Sequence, residues 1–185
     1  MAKHIIIREC TPIVNQLHKN QNNDFTYIII QGGINDAMGT NAERTKASAA
    51  KIGKVSNSFD LFDFDTWTFA GALEHTFYYA NKYFPSAKKG FIVTYATPLS
   101  THGGYTAETN EMRKYWEIAK KICDKWDIMY LDLFDGITDR GLSYSLDVLK
   151  TDTDRYFPGA GDYVHLNSIG YDIITPYIYK WIMKL

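Results

Sequence analysis

The chain has few cysteines, little net charge and no long apolar run. Its 185 residues include only Cys10 and Cys123, so the sequence offers neither a disulfide framework nor a C-x-x-C metal motif. A formal net charge of -1 gives no electrostatic reason to expect a nucleic-acid partner. No apolar stretch approaches membrane-spanning length, and the first residues do not resemble a signal peptide. We therefore expect a cytoplasmic protein with no membrane partner.

Length and composition are those of one globular domain over residues 1–185. Hydrophobic residues make up 45% of the chain and charged residues 22%, an ordinary balance for a domain with a real core. Aromatic residues reach 15%. This excess is compatible with a groove that stacks on sugar rings, although core packing and amphipathic surface are the simpler explanation.

Short apolar runs predict the strands of a parallel sheet. Residues 26–31, 90–96 and 128–133 are nearly continuously apolar and rich in Ile, Val or Tyr. Strands that are covered on both faces have this composition. Residues 4–9, which include three successive isoleucines, are a fourth candidate.

Helical patterns separate these runs. The clearest covers residues 107–126, where apolar side chains recur every three or four positions along one face. Shorter patterns predict helices over residues 12–19 and 69–84, and Asn167 or Ser168 is placed to cap a final helix. Strands alternating with helices predict an α/β fold with right-handed crossovers and a parallel sheet.

The first motif with chemical potential is Gly-Ile-Asn-Asp at positions 33–36, directly after a predicted strand. In open parallel sheets, functional groups lie on the loops beyond the carboxyl ends of the strands. Glycine lets the backbone turn sharply there, and the side-chain amide of Asn35 is a neutral donor suited to a developing oxyanion. The alternative is an ordinary turn. We expect Asp36 to hold the loop together.

The second motif is the pair Asp162 and His165, three residues apart before the final helix. A carboxylate that accepts from one imidazole nitrogen fixes the tautomer, so that the other nitrogen can face a nucleophile. The spacing alone is weak, because such pairs arise by chance and are commonly solvated.

Together, the Gly-Ile-Asn-Asp motif and the Gly-Asp-Tyr-Val-His-Leu-Asn segment at 161–167 resemble two sequence blocks of the SGNH (GDSL-type) ester hydrolases. The resemblance covers residues 12–185. It implies a flavodoxin-like, three-layer α/β/α sandwich that hydrolyses carboxylic esters, such as those of acylated carbohydrates, without a metal or organic cofactor.

The resemblance also implies roles for individual residues. His165 would be the general base, Asp162 would orient it, and Asn35 would donate to the oxyanion. Four further residues near the predicted loops are weaker candidates for substrate contacts: Gly33, Tyr95, His102 and Tyr105.

The nucleophile of that family is missing from the chain. Family members carry it in a Gly-Asp-Ser block, and no serine of this chain follows Gly-Asp. Loss of the serine alone costs about 2 × 10⁶ in turnover in the triad enzyme subtilisin. We therefore expect these residues by themselves to hydrolyse esters no faster than background. Cys10 is a possible replacement, but a buried core cysteine is the simpler interpretation.

Two interpretations of this departure stay open. In the first, the chain is an N-terminally incomplete hydrolase domain that lacks one or two leading strands. The strand at residues 26–31 would then be a bare sheet edge, a surface that favours homo-oligomers. In the second, the chain is a non-catalytic binding or structural protein that retains the α/β scaffold.

Overall fold

The structure, a computed structural model, describes residues 10–38, 50–95, 109–134, 155–157 and 165–185. Helices and strands alternate along these ranges, which confirms the predicted α/β class; the fourth candidate strand at residues 4–9 lies outside them. The elements are α1 (Cys10–Lys19), β1 (Tyr27–Gln31), α2 (Ile34–Met38), α3 (Phe69–Tyr83), β2 (Lys88–Val93), α4 (Thr109–Trp126), β3 (Met129–Asp132) and α5 (Ser168–Ile182). Among the helices described, none is both long enough and apolar enough to cross a membrane.

The three strands form one parallel sheet, as the alternation predicted, and their order is β1-β2-β3. β2 begins two residues before the apolar run, because the ladder pairs Lys88 with Tyr27 although Lys88 is polar. The sheet has a carboxyl edge, by which we mean the edge where all three strands end. Parallel pairing places the loops after β1, β2 and β3 along this edge.

Helices pack against both faces of β2. The ring of Phe91 contacts the ring of Phe77 in α3, with centroids 5.9 Å apart. A Cβ atom at the neighbouring Gly90 would lie 2.4 Å from Trp181 in α5. Because adjacent residues of a strand point to opposite faces, α3 and α5 cover opposite faces. The complete flavodoxin-like sandwich stays a prediction.

The core lies mainly between the sheet and the α3–α4 pair. α3 and α4 meet where the rings of Phe69 and Trp116 make an edge-on contact. The apolar stripe predicted on α4 is buried, including Cys123, whose thiol pKa is raised by that burial. The largest side chains that are almost fully buried are Trp116, Phe69, Phe77, Phe91, Phe134 and Phe157. Removing such apolar surface from water is the main driving force for this packing.

A buried ion pair fixes the loop that precedes α3. Glu74 is fully buried and pairs with the ammonium group of Lys125 in α4. The same ammonium donates to the carbonyl oxygens of Ser56 and Ser58, at 2.9 and 2.6 Å, and lies 4.8 Å from the ring centroid of Phe59. The loop is thereby attached to both helices.

Candidate active site at the carboxyl edge

Gly33 makes the sharp turn at the end of β1. Its φ of 97° lies in the left-handed region, which side chains with a Cβ rarely adopt. A Cβ atom there would also lie 2.6 Å from Cε2 of Phe69. Backbone conformation and packing therefore both require glycine, and the turn leads directly into α2.

Asn35 stands in the first turn of α2 and is partly exposed. The turn is closed by the amide of Ala37, which donates to the carbonyl oxygen of Gly33 over 3.0 Å. This position places the Asn35 side chain beyond the end of β1, on the carboxyl edge. A neutral amide held on a short helical turn is suited to donating a hydrogen bond to a bound oxygen atom.

Asp36 is buried, with 6% of its surface exposed. Its carbonyl oxygen accepts from the amide of Ala50 over 2.8 Å, and the carbonyl oxygen of Ala50 accepts from the hydroxyl of Tyr115 over 2.5 Å. These bonds join α2 to the chain before α3 and to α4. Because they use the backbone carbonyl of position 36, which any residue would present, the loop-holding role expected for Asp36 stays a prediction.

The ends of β1 and β2 are linked by side chains. The amide of Gln31 donates to the hydroxyl of Thr94 over 3.3 Å. The next residue, Tyr95, is buried, and its ring centroid lies 6.4 Å from that of Phe157. The contact between Tyr95 and Phe157 connects the carboxyl edge to the C-terminal part of the chain.

Asn167 connects that C-terminal part to α5. Its backbone amide donates to the carbonyl oxygen of Tyr156 over 2.8 Å. Its side-chain amide donates to the backbone carbonyl oxygen of Arg155 over 2.9 Å. Its side-chain oxygen accepts from the amide of Gly170 over 3.0 Å, which makes Asn167 the N-cap of α5. The cap prediction is confirmed, and the sequence pattern did not predict the bonds to residues 155 and 156.

These contacts place His165 in a defined context. His165 is exposed and lies two residues before Asn167, which is bonded to the stretch containing Phe157. Because Phe157 packs on Tyr95, the segment that carries His165 is anchored at the end of β2. Asn35 extends from the end of β1, the adjacent strand of the sheet.

Three of the predicted site residues, Asp162, His102 and Tyr105, lie outside the described ranges. The pairing of Asp162 with His165 and the substrate contacts of the other two therefore stay predictions. Gly33 and Tyr95 are described, and both are buried. Their suggested contacts with substrate also stay predictions.

Comparisons with known proteins support the fold and do not extend to function. No family model matches the chain, and no curated protein matches it. The crystal structure of a protein from Lactobacillus plantarum is similar, with a TM-score of 0.67 and 17% identity over 93% of this chain and 72% of that one. A second crystal structure has a TM-score of 0.66 and 17% identity, over 93% of this chain and 70% of the other.

Proposed function

We propose that the carboxyl edge carries part of the active site of an ester hydrolase of the SGNH type. The substrate class is a carboxylic ester, such as an acylated carbohydrate. His165 is the general base, Asp162 orients its imidazole, and Asn35 donates to the oxyanion. The nucleophilic serine is not among the residues of this chain, so we expect the chain by itself to be inactive.

One observation carries the proposal. The segment of His165 is bonded through Asn167 to residues 155–157, and Phe157 packs on Tyr95 at the end of β2. Asn35 follows the end of β1. Asn35 thus follows the end of one strand, and the segment of His165, 130 positions later in the sequence (165 minus 35), is attached through Phe157 and Tyr95 near the end of the adjacent strand. Open α/β sheets bind their ligands beyond the carboxyl ends of their strands.

The chemistry follows from the three residue types. A neutral imidazole removes the proton of an attacking hydroxyl group and later returns it to the leaving alcohol. The carboxylate opposite its other nitrogen stabilises the imidazolium that forms between these steps. The amide of Asn35 supports the negative charge that develops on the carbonyl oxygen of the ester. Each role needs only hydrogen bonding or proton transfer by a side chain, so the scheme includes no cofactor.

A non-catalytic binding or structural protein is the second candidate. The absence of a Gly-Asp-Ser block favours it, because a scaffold that no longer cleaves esters has no use for a nucleophile. The two candidates differ in whether the amide of Asn35 and the imidazole of His165 still act on a common ligand.

Acetate, the product of acetyl-ester hydrolysis, tests this difference. We expect acetate to shift the NMR signals of the Asn35 side-chain amide, and we expect His165→Ala to weaken that effect. The side-chain amide of Asn20, at the far end of α1, is the control. Unchanged Asn35 signals, or equal shifts with chloride, would favour the non-catalytic candidate.

An assay with p-nitrophenyl acetate tests the expected inactivity. Wild type and His165→Ala should release nitrophenol at the same background rate, because neither contains the family's serine. A faster wild-type rate would mean that another residue of the chain acts as the nucleophile.

A further inference from the structure

The loop over residues 59–67, which we name the aromatic loop, exposes large apolar rings to solvent. Phe62 is 92% exposed, Trp67 is 63% exposed and Phe59 is 56% exposed. Single exposed apolar side chains need no explanation, whereas several in one short loop indicate an interaction site. Aromatic side chains, and tryptophan above all, contribute most of the binding energy at protein interfaces.

The backbone of the aromatic loop is held by its own side chains. The carboxylate of Asp60 accepts from the amide of Phe62 over 3.0 Å, and that of Asp65 accepts from the amide of Trp67 over 3.3 Å. At the end of the loop, the hydroxyl of Thr68 donates to the backbone carbonyl oxygen of Asp65 over 2.8 Å. The rings therefore stand on a backbone that is ordered before any partner binds, which lowers the entropic cost of binding.

The charged side chains of the aromatic loop all have the same sign. The loop contains Asp60, Asp63 and Asp65, which are exposed, and the sequence has no Lys, Arg or His between residues 55 and 74. The same surface of a second copy would bring the same negative charges, so two copies repel each other there. Charge complementarity therefore favours a cationic partner.

The chain itself shows that aromatic rings of this region attract a cation. The ammonium group of Lys125 lies 4.8 Å from the ring centroid of Phe59, 5.4 Å from that of Phe64 and 5.5 Å from that of Trp126. The negative charge over the face of an aromatic ring is the source of this attraction. The exposed rings of Phe62 and Trp67 offer the same attraction to a cation from another molecule.

We propose that the aromatic loop binds an arginine-bearing segment of a partner protein. A guanidinium group stacks on aromatic rings and pairs bidentately with carboxylates, and arginine combines these two contacts better than lysine does. In the sequence, Asp63 directly follows Phe62, and Asp65 stands two positions before Trp67. A guanidinium group on either ring is thus close to a carboxylate of the same loop. The proposal does not depend on the hydrolase activity proposed above.

NMR titration of the full chain with a hexa-arginine peptide tests this proposal. The indole N–H signal of Trp67, identified by its loss in Trp67→Phe, should shift with hexa-arginine and stay in place with hexaglutamate. Phe62→Ala should raise the Kd of hexa-arginine about tenfold, and Asp63→Asn should raise it as well. Tyr179→Ala is the matched control, because Tyr179 is 64% exposed on α5 and its loss should leave the Kd unchanged.

Urea denaturation reports whether the variants keep the fold. If Phe62→Ala lowers the stability, Trp67→Ala replaces it, with the backbone amide of Asp63 as the reporter. A Trp67 signal that hexa-arginine does not shift would overturn the proposal. An unchanged Kd in Phe62→Ala would also overturn it, because charge alone would then explain the binding. So would a Trp67 signal that shifts with dextran instead, which indicates a carbohydrate, or with protein concentration, which indicates a second copy.

Discussion

β1 and β2 are neighbouring apolar strands, but they are covered to different degrees. In β2, the exposed fractions of Phe91, Ile92 and Val93 are 1%, 6% and 0%. In β1, Ile29 exposes 37% and Tyr27 exposes 43%. β2 has strands on both sides and helices on both faces, whereas β1 has one described partner strand. Apolar composition therefore predicts that a segment is a strand, and its neighbours decide how far it is buried.

The largest effect should come from breaking the better-covered strand. Phe91→Ala removes a nearly fully buried ring that packs on Phe77, and we expect a loss of about 3–5 kcal/mol in the free energy of unfolding. Tyr27→Ala, on β1, should cost about 1 kcal/mol or less. Urea denaturation measures both changes, and equal losses would contradict the difference between the strands.

The ion pair that supports α3 and α4 should matter almost as much. Lys125→Met leaves the fully buried carboxylate of Glu74 without its cation, and such a loss costs about 3–5 kcal/mol. Lys121→Met, at an exposed position of the same helix, should change the stability by no more than about 0.5 kcal/mol. If the two variants unfold at the same urea concentration, the buried carboxylate of Glu74 does not need Lys125 for the stability of the fold.

The turn after β1 should show an intermediate effect. Gly33→Ala places a Cβ in a left-handed conformation and against Phe69, and the conformational part alone costs about 1–3 kcal/mol. Gly32→Ala is the matched control, since its Cβ would meet only Ile13, at 3.2 Å. Thermal unfolding of both variants distinguishes them. If Gly33→Ala were as stable as Gly32→Ala, position 33 would not need glycine for a left-handed backbone conformation.

The smallest effect is a pH dependence of stability that comes from His75 in α3. Burial lowers the pKa of His75 in α3 from its ordinary value of 6.5. The folded state therefore binds fewer protons than the unfolded state, and the free energy of unfolding should fall as the pH drops below 6.5. His75→Leu should weaken this dependence. A wild-type stability that rises towards acidic pH would contradict the assignment.

Sequence patterns located the regular elements well, because strands leave short apolar runs and helices leave apolar residues every three or four positions. The expectation that all three strands are covered on both faces was wrong for β1 and β3, which are partly exposed. They placed the strand ends less accurately: β2 includes Lys88 and Lys89, whose backbones pair although their side chains are polar. The five-residue helix α2 was not predicted, since it is too short for a periodic pattern.

The candidate site was predicted in part. Asn35 and His165 belong to short motifs of adjacent residues, which can be recognised in the sequence. The contact of Tyr95 with Phe157 and the pairing of Glu74 with Lys125 join residues far apart in the chain. Neither contact leaves a local pattern, because only the tertiary fold brings the partners together.

The proximity of Asn35 and His165 is the central claim, and paramagnetic broadening measures it directly. A nitroxide is attached at position 35 of an Asn35→Cys, Cys10→Ser protein, in which the buried Cys123 stays unlabelled. We predict strong broadening of the His165 ring signals and none for the signals of His18, which lies in the last turn of α1. Sharp His165 signals beside an attached nitroxide would place the two residues apart and contradict the shared site.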